Sequence, residues 1–186
     1  MIKISLFTIL LGTTLLIQGC GDKEKKTQEA NAMIASNEYV LTSTENQQFV
    51  VKKELDGFVL ENAKGKVVIF DIFATWCPPC QAAASHLSSL KKTFGDDLIV
   101  IGVSIEDGIS NAELQAFKKE HGAEYPLVNS SDNRRLVSAI ASALKLGERF
   151  PIPIMALYKD GKLINHYIGE VQEEFIASDI NQALGK

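Results

Sequence analysis

Two cysteines, Cys77 and Cys80, lie three positions apart in the segment ATWCPPC at residues 74–80. At this spacing on the first turn of a helix, the two side chains lie close enough to form a disulfide bond. The partial positive charge at a helix N-terminus stabilises a thiolate, so Cys77 is predicted to be the nucleophile. Cys80, one turn deeper, is predicted to attack the resulting mixed disulfide and release the partner. The pattern therefore indicates thiol–disulfide exchange.

Other chemistries of a cysteine pair need further ligands. A zinc site would require two more, and the candidates are isolated in the sequence: Cys20, His86, His121 and His166. Tetrahedral zinc sites usually draw on a second close pair of ligands. Copper handling would recruit Met and His groups, which do not cluster near the cysteines. Two ordinary buried cysteines are a further alternative. We expect no metal, and no cofactor other than the redox-active disulfide itself.

An apolar segment precedes the cysteines and an amphipathic segment follows them. Residues 67–73, VVIFDIF, are strand-forming and almost continuously apolar, which predicts a central strand covered on both faces. Pro78 and Pro79 are tolerated in the first turn of a helix, where backbone N–H groups lack helical partners. Apolar residues then recur at helical spacing until Gly95. The cysteines are therefore predicted where a central strand passes into a helix.

Two residues near the cysteines each have two interpretations. Asp71 lies inside the apolar strand, where desolvation would raise the pKa of its carboxyl and let it take a proton. Alternatively, its carboxylate lies near water at a bend of the strand. Trp76, directly before Cys77, either offers a surface against which a substrate packs or covers the site with its ring.

The remaining segments predict a mixed α/β domain. Short alternating runs between residues 39 and 62 predict a β-hairpin or two edge strands. From residue 67 the order is strand, helix, strand, helix, strand, helix, hairpin, helix, so parallel crossovers precede an antiparallel pair. Ser110 and Glu113 form a capping box, and Asp160-Gly161 predicts a two-residue hairpin turn. We expect a mixed central sheet flanked by helices, extended by the N-terminal β-hairpin.

The later elements are predicted in more detail. Residues 125–128 form a short strand, and a helical stripe that begins at Leu136 and includes Leu144 closes at Gly147. The final helix is predicted to bury four apolar side chains: Phe175, Ile176, Ile180 and Leu184.

The beginning of the chain has the composition of a targeting segment. Lys3 precedes an apolar stretch at residues 4–17, which is shorter than the roughly 20 residues that a membrane-spanning helix needs. The tetrapeptide IQGC at residues 17–20 resembles the lipobox of bacterial lipoproteins, whose cysteine is acylated. The alternatives are an ordinary secretory signal with a chance cysteine, and an uncleaved anchor.

Three segments are therefore expected: a lipoprotein-type signal peptide at residues 1–19, a lipidated Cys20 with a flexible polar tether at residues 20–37, and a folded domain at residues 38–186.

Composition limits the functions further. The formal net charge is −4, and no basic stripe is present that could follow phosphates, so we expect no nucleic-acid partner. The chain has three cysteines, of which one lies in the targeting segment. None is left for a structural disulfide, so packing must hold the core.

Residues 39–186 resemble the TlpA and ResA-like branch of thioredoxin-fold proteins, which are extracytoplasmic and often lipoproteins. The resemblance depends on the motif FATWCPPC at residues 73–80, the segment NAKGK at residues 62–66, and Pro153, eight residues before Gly161. It implies a thioredoxin-like fold.

The resemblance also implies roles for individual residues. Pro153 matches the family's cis-proline, so Ile152-Pro153 would be a cis bond in a loop that faces the cysteines and holds substrate backbone. The alternative is that Pro151 and Pro153 form only a stiff turn. In thioredoxin-like proteins an acidic residue at the place of Asp71 is thought to assist deprotonation of the second cysteine.

The chain departs from its relatives in one helix. Many of them carry an acidic residue three positions after the second cysteine and a proline two residues later, where this chain has Ala83 and Ser85. Redox tuning by that carboxylate is therefore absent, and the helix should lack the kink that an interior proline produces.

The function implied is that of a membrane-anchored oxidoreductase on the periplasmic side. It would exchange disulfides with protein thiol or disulfide substrates, and a membrane redox partner would restore its active state. Pro78 and Pro79 supply no backbone N–H to a Cys77 thiolate, which favours a reductant. Apocytochrome thiols in cytochrome c biogenesis would then be candidate substrates, as for relatives.

Three other functions are alternatives. A disulfide-forming oxidase would run the same exchange in the opposite direction. A thiol peroxidase would need an arginine beside its cysteine, whereas Arg134, Arg135 and Arg149 are far along the chain. A non-enzymatic metal-binding or scaffold protein would not depend on Cys77.

Overall fold

The structure is a computed structural model that describes residues 37–186. The predicted signal segment at residues 1–19, the predicted lipidation site Cys20 and most of the predicted tether lie outside the described residues. Among residues 37–186, no helix is both long and apolar enough to cross a membrane.

A five-stranded mixed sheet forms the centre of the domain, in the order β6-β5-β4-β7-β8. A separate antiparallel sheet, β1-β2-β3, precedes it. The elements are β1 Glu38–Thr42, β2 Gln48–Glu54, β3 Gly57–Leu60, β4 Val67–Phe73, α1 Pro78–Phe94, β5 Leu98–Ser104, α2 Asn111–His121, β6 Leu127–Val128, α3 Asn133–Ala143, β7 Ile154–Lys159, β8 Lys162–Ile168 and α4 Glu173–Leu184. This order confirms the predicted mixed sheet flanked by helices.

Strand β4 is the middle of the central sheet, with β5 parallel on one side and β7 antiparallel on the other. All seven of its residues are buried. Alternate side chains point to opposite faces. Val67, Ile69 and Phe73 face a core shared with α1, α2 and α4, while Val68, Phe70 and Ile72 face one shared with α3 and the N-terminal sheet. Burial on both faces explains the continuous apolar run in the sequence.

The N-terminal extension has three strands, one more than a hairpin. Strand β2 is seven residues long and pairs with β1 along one edge and with β3 along the other. Tyr39, Leu41, Val51 and Phe58 are buried against the central sheet. Alternation of apolar and polar residues predicted strands in this region. How the three strands pair depends on the face of the central sheet against which they pack.

Local signals at several element ends are confirmed. Ser110 and Glu113 form the capping box of α2, which ends at Gly122 in the left-handed conformation. Gly95 caps α1. The turn between β7 and β8 has positive φ at both Asp160 and Gly161, as a type I′ turn requires.

Three predicted details are wrong. Strand β6 begins at Leu127, because Pro126 has no N–H to donate to a ladder. Helix α3 stops at Ala143, before Leu144 and Gly147, because Lys145 adopts a positive φ.

The third concerns the final helix, in which Ile176 and Ile180 are buried but Phe175 is 59% exposed. Successive helical residues are rotated by about 100° around the axis, and the buried face of α4 contains Ile176 and Ile180, which leaves Phe175 at the exposed side of that face.

Ser88 connects α1 to the loop that follows α2. It is 8% exposed, its hydroxyl hydrogen-bonds to the Gly122 carbonyl at 2.7 Å, and it accepts the backbone N–H of Glu124 at 2.7 Å. The neighbouring Ser89 is exposed and reaches the carboxylate of Glu173. The two serines share a helix and differ in burial.

Ser88→Ala is therefore expected to reduce the free energy of unfolding by about 0.5–1.5 kcal/mol, because the Gly122 carbonyl and the Glu124 N–H lose their Ser88 partner and keep only the hydrogen bond to each other. Ser89→Ala, the matched control, should change it by less than about 0.5 kcal/mol. Urea unfolding of the three proteins measures both values. Equal effects of the two substitutions would show that this connection does not stabilise the fold.

Candidate active site

Cys77 and Cys80 form a disulfide bond, with their Cα atoms 5.2 Å apart. This confirms that the two sulfurs lie within bonding distance at the start of a helix. Both residues are buried, Cys77 at 3% exposure and Cys80 at 1%. Cys80 packs in the core between the sheet and α1, whereas Cys77 lies at its edge, in the turn between β4 and α1.

Cys77 is the N-cap residue of α1, and its sulfur accepts the backbone N–H of Cys80 at 3.3 Å. Pro78 and Pro79 occupy the first two helical positions and have no N–H to donate. No acidic residue lies in the first turn of this 17-residue helix. A thiolate at Cys77 would therefore receive one backbone hydrogen bond and the positive end of the helix dipole.

The loop before β7 lies beside the disulfide. The Ile152-Pro153 bond is cis, which confirms the prediction for this bond. The Ile152 carbonyl oxygen lies 3.7 Å from the Cys77 sulfur, and the Pro153 carbonyl accepts the N–H of Gly169 at the end of β8. Hydrogen bonding to β8 therefore holds this loop next to the nucleophilic position.

Trp76 is 65% exposed, the largest exposure of an aromatic side chain among residues 37–186. Its backbone belongs to the turn that ends at Cys77, so its ring lies on the surface next to the disulfide. This placement leaves the ring available to another molecule.

Every polar group of Thr75, two positions before Cys77, is hydrogen-bonded to a side chain. The sequence analysis did not identify the two partners, Glu106 and Gln81. The Thr75 N–H and hydroxyl donate to the Glu106 carboxylate at 2.7 and 2.9 Å, and its carbonyl accepts the side-chain amide of Gln81 at 2.8 Å. Glu106 follows the end of β5 by two residues. Because β4 and β5 are parallel neighbours, their C-terminal ends lie at the same edge of the sheet. A polar residue directly after β5 could therefore have been predicted to lie near the cysteines.

Asp71 is 2% exposed and lies on β4 between Ile69 and Phe73, on the face that packs against α1. The alternative that placed its carboxylate near water is wrong. Burial raises the pKa of the carboxyl to about 7, and the hydroxyl of Tyr125, which donates to Oδ2 at 2.9 Å, opposes that rise. Oδ1 has no hydrogen-bond partner in the part of the chain that the structure describes. Tyr125 was not identified from the sequence.

The three histidines lie on different elements. His86 is on α1, His121 is at the end of α2 against the ring of Phe117, and His166 is on β8. Within residues 37–186, no three His, Cys, Asp or Glu side chains cluster closely enough to hold a metal ion.

Comparisons with known proteins identify a family and relatives of this chain. The model of the AhpC/TSA family matches residues 37–164. The thiol-disulfide oxidoreductase ResA of Bacillus subtilis (strain 168) is 26% identical over 154 residues, which cover 81% of this chain and 80% of that protein.

Two solved structures share the fold. A thioredoxin-family thiol:disulfide interchange protein from Chlorobium tepidum TLS matches with a TM-score of 0.64 and 20% identity, covering 80% of this chain and 94% of that chain. StoA from Bacillus subtilis matches with a TM-score of 0.53 and 18% identity, covering 76% and 95%. The predicted thioredoxin-like fold is thereby confirmed.

Asp71→Asn is expected to remove a pH-dependent loss of stability. The pKa of Asp71 is raised from 3.8 to about 7 in the folded protein, so folding favours the protonated carboxyl. The stability that this proton contributes is fully present below about pH 4 and is lost as the pH rises through about 7. The unsubstituted protein should therefore lose on the order of 4 kcal/mol across this range relative to the variant, which has no carboxyl to titrate at this position.

Urea unfolding at a series of pH values measures the difference. Asp56→Asn, in the exposed turn between β2 and β3, removes the same charge and should run parallel to the unsubstituted protein. If the curve for Asp71→Asn also runs parallel, Asp71 does not titrate in this range.

Proposed function

Since the chain belongs to the AhpC/TSA family and is a thiol–disulfide oxidoreductase of the TlpA and ResA-like type, we propose that it exchanges disulfides with protein substrates through Cys77 and Cys80. The observation that carries this proposal is the disulfide at the N-terminus of α1, beside the cis-proline loop. The redox group in this proposal is the Cys77–Cys80 disulfide.

The reaction has two steps. The Cys77 thiolate attacks a substrate disulfide, forms a mixed disulfide with one substrate sulfur and releases the other as a thiolate. Cys80 then loses its proton to Asp71 and attacks the Cys77 sulfur. The Cys77–Cys80 bond forms, the bond to the substrate breaks, and the second substrate sulfur leaves as a thiolate that takes a proton. The substrate gains two electrons and the enzyme loses two.

The substrate would lie across the exposed side of this site. Trp76, directly before Cys77, offers an exposed aromatic surface, and Ile152, which the cis bond to Pro153 holds beside the Cys77 sulfur, offers backbone groups. The substrate proposed for this surface is an extended segment of an unfolded protein, because backbone groups recognise a chain without regard to its sequence. Protein thiols and disulfides are therefore the proposed substrate class.

We propose that the enzyme works as a reductant. Of the first three residues after Cys77, Cys80 alone has a backbone N–H, and that group reaches the Cys77 sulfur. A less stabilised thiolate makes the reduced form less favourable, which lowers the reduction potential. Apocytochrome thiols, whose disulfides must be reduced before haem attachment, are the proposed targets.

We also propose an extracytoplasmic location. The lipobox-like segment before Cys20 favours acylation at that residue, and the polar tether would let the domain work beside a membrane. A membrane redox partner would return electrons to the Cys77–Cys80 disulfide after each turnover.

The peroxidase alternative depends on an arginine next to the reactive sulfur. Arg134 forms an ion pair with Asp107, and Arg135 pairs with Asp132 and lies over the ring of Tyr39. These contacts pair the guanidinium groups of Arg134 and Arg135 with carboxylates, and Arg149 is exposed in the loop that precedes Ile152. Peroxide consumption by the purified protein would be the direct sign of that activity.

Cys80→Ser is expected to accumulate mixed disulfides through Cys77, because the sulfur that would release the substrate is missing. The full-length variant is isolated after acid quenching and alkylation, and mass spectrometry identifies the attached proteins. The Cys77→Ser/Cys80→Ser double variant retains Cys20 and controls for adducts at that residue. Equal adducts in the two variants would contradict the nucleophilic role of Cys77.

The reduction potential of the Cys77–Cys80 pair is expected to lie near that of a reductant, at about −270 mV, because the thiolate receives a single backbone N–H. Equilibration with glutathione or dithiothreitol buffers, followed by alkylation, measures it. A potential near −120 mV, as in a strong oxidant, would contradict the reductant proposal and favour disulfide formation.

A further inference from the structure

Asp71 and Gly102 lie directly opposite each other on the parallel strands β4 and β5. A Cβ atom at Gly102 would lie 2.5 Å from Leu127 Cδ2, 3.1 Å from Tyr125 Cε2 and 3.2 Å from Phe73 Cε1. The glycine has an ordinary strand conformation, so its role here is to leave space. Because it has no side chain, the ring of Tyr125 can lie over the strand next to Asp71.

Tyr125 is fixed in this space. It is 2% exposed, and the loop before it is held to α1 by the two hydrogen bonds of Ser88. Its hydroxyl donates to Asp71 Oδ2 at 2.9 Å. Burial and the adjacent carboxylate raise the pKa of the Tyr125 hydroxyl well above its ordinary value, so the group stays a donor at any working pH.

The two oxygens of Asp71 are therefore not equivalent. Oδ2 accepts the tyrosine hydroxyl, whereas Oδ1 is buried without a hydrogen-bond partner among the described residues. Asp71 alternates along β4 with Ile69 and Phe73, which face the core that contains Cys80. A buried carboxylate oxygen without a donor is unfavourable, and it is the oxygen best placed to bind a proton.

Few other titratable groups face Asp71. Its strand neighbours are Gly102 and Met155, which do not titrate. The elements packed on its face carry the two cysteines, His86, His121, Tyr125, Tyr167 and Asp179, and the Lys and Glu side chains of these elements are half-buried or exposed. The Tyr167 hydroxyl is hydrogen-bonded to the Asp179 carboxylate, whereas the Tyr125 hydroxyl is hydrogen-bonded to the carboxyl of Asp71.

We propose that Tyr125 is a positioning residue for the resolving step: it holds the Asp71 carboxyl so that Oδ1 takes the proton of the Cys80 thiol. The inference rests on the proposed function. In the step, the S–H bond of Cys80 breaks and an O–H bond forms at Oδ1 of Asp71. The Cys80 thiolate then displaces the substrate sulfur from Cys77, and the substrate leaves as a thiolate.

Tyr125 also sets the pH range of this step. Asp71 accepts a proton only when ionised, so the resolving rate rises with pH through the pKa of Asp71 in the mixed disulfide. The hydroxyl hydrogen bond favours the ionised form. Without it, the rate should rise at a higher pH.

The test uses Tyr125→Phe, which keeps the ring and removes the hydroxyl, in a full-length Cys20→Ser background. Reduced protein reacts with Ellman's reagent to form a thionitrobenzoate adduct at Cys77, and release of the second thionitrobenzoate reports attack by Cys80. Tyr158→Phe, a buried tyrosine on the opposite face of the sheet, is the matched control.

The midpoint of the rate–pH profile is expected to shift upward by about 0.5–1 unit in Tyr125→Phe, with a roughly two- to fivefold slower release at pH 7. The rate should return to the unsubstituted value at high pH. Tyr158→Phe should leave the profile unchanged, and Tyr125→Phe should have no effect on the midpoint in an Asp71→Asn background. An unchanged midpoint, or an equal shift in the Asp71→Asn background, would overturn the proposal.

A second measurement does not require Tyr125→Phe to fold. In the unsubstituted oxidised protein, the ¹³Cζ chemical shift of Tyr125 should follow the titration of Asp71, and this titration should disappear in Asp71→Asn. A shift that is independent of pH would overturn the proposal. If the unsubstituted protein releases no second thionitrobenzoate at any pH, the proposed function fails instead, and the two failures are distinguishable.

Discussion

The site depends on the passage of strand β4 into helix α1. Strand β4 is buried along its whole length between two cores, and this packing fixes the position of its C-terminal end. Thr75 continues that constraint, because Glu106 and Gln81 hold its polar groups. Cys77 is thereby held at the N-terminus of the helix, where the positive end of the helix dipole and the N–H of Cys80 both stabilise a thiolate at its sulfur.

Two opposing effects act on Asp71. Burial in an apolar core disfavours the carboxylate, and one neutral hydrogen bond favours it. The pKa of about 7 shows that burial is the larger effect, which is the usual order when no cation is adjacent. The result is a carboxyl that can exchange a proton near neutral pH on the face of the sheet that carries Cys80. A cation beside Asp71 would have kept it ionised and removed this capacity.

The sequence was sufficient for the parts of the site that depend on local chemistry. The spacing of the cysteines, the prolines in the first helical turn and the apolar run of β4 predicted the strand, the helix and the disulfide together. The resemblance to known proteins added the cis bond at Pro153. Tyr125 and Glu106 were missed because each reaches the site from another strand or loop, at a separation of 54 and 31 residues from its partner. Phe175 was misplaced because hydrophobicity alone does not say which of two adjacent helical residues faces the core.

The central claim is that Cys77 carries the ionised, attacking sulfur. Alkylation of the reduced full-length protein with iodoacetamide across a range of pH, with tandem mass spectrometry to locate the label, tests it most directly. The account predicts that Cys77 reacts first and titrates below the ordinary thiol value of about 8.5, while Cys80 stays protected. Preferential labelling of Cys80, or a Cys77 thiol that titrates at or above that value, would contradict it.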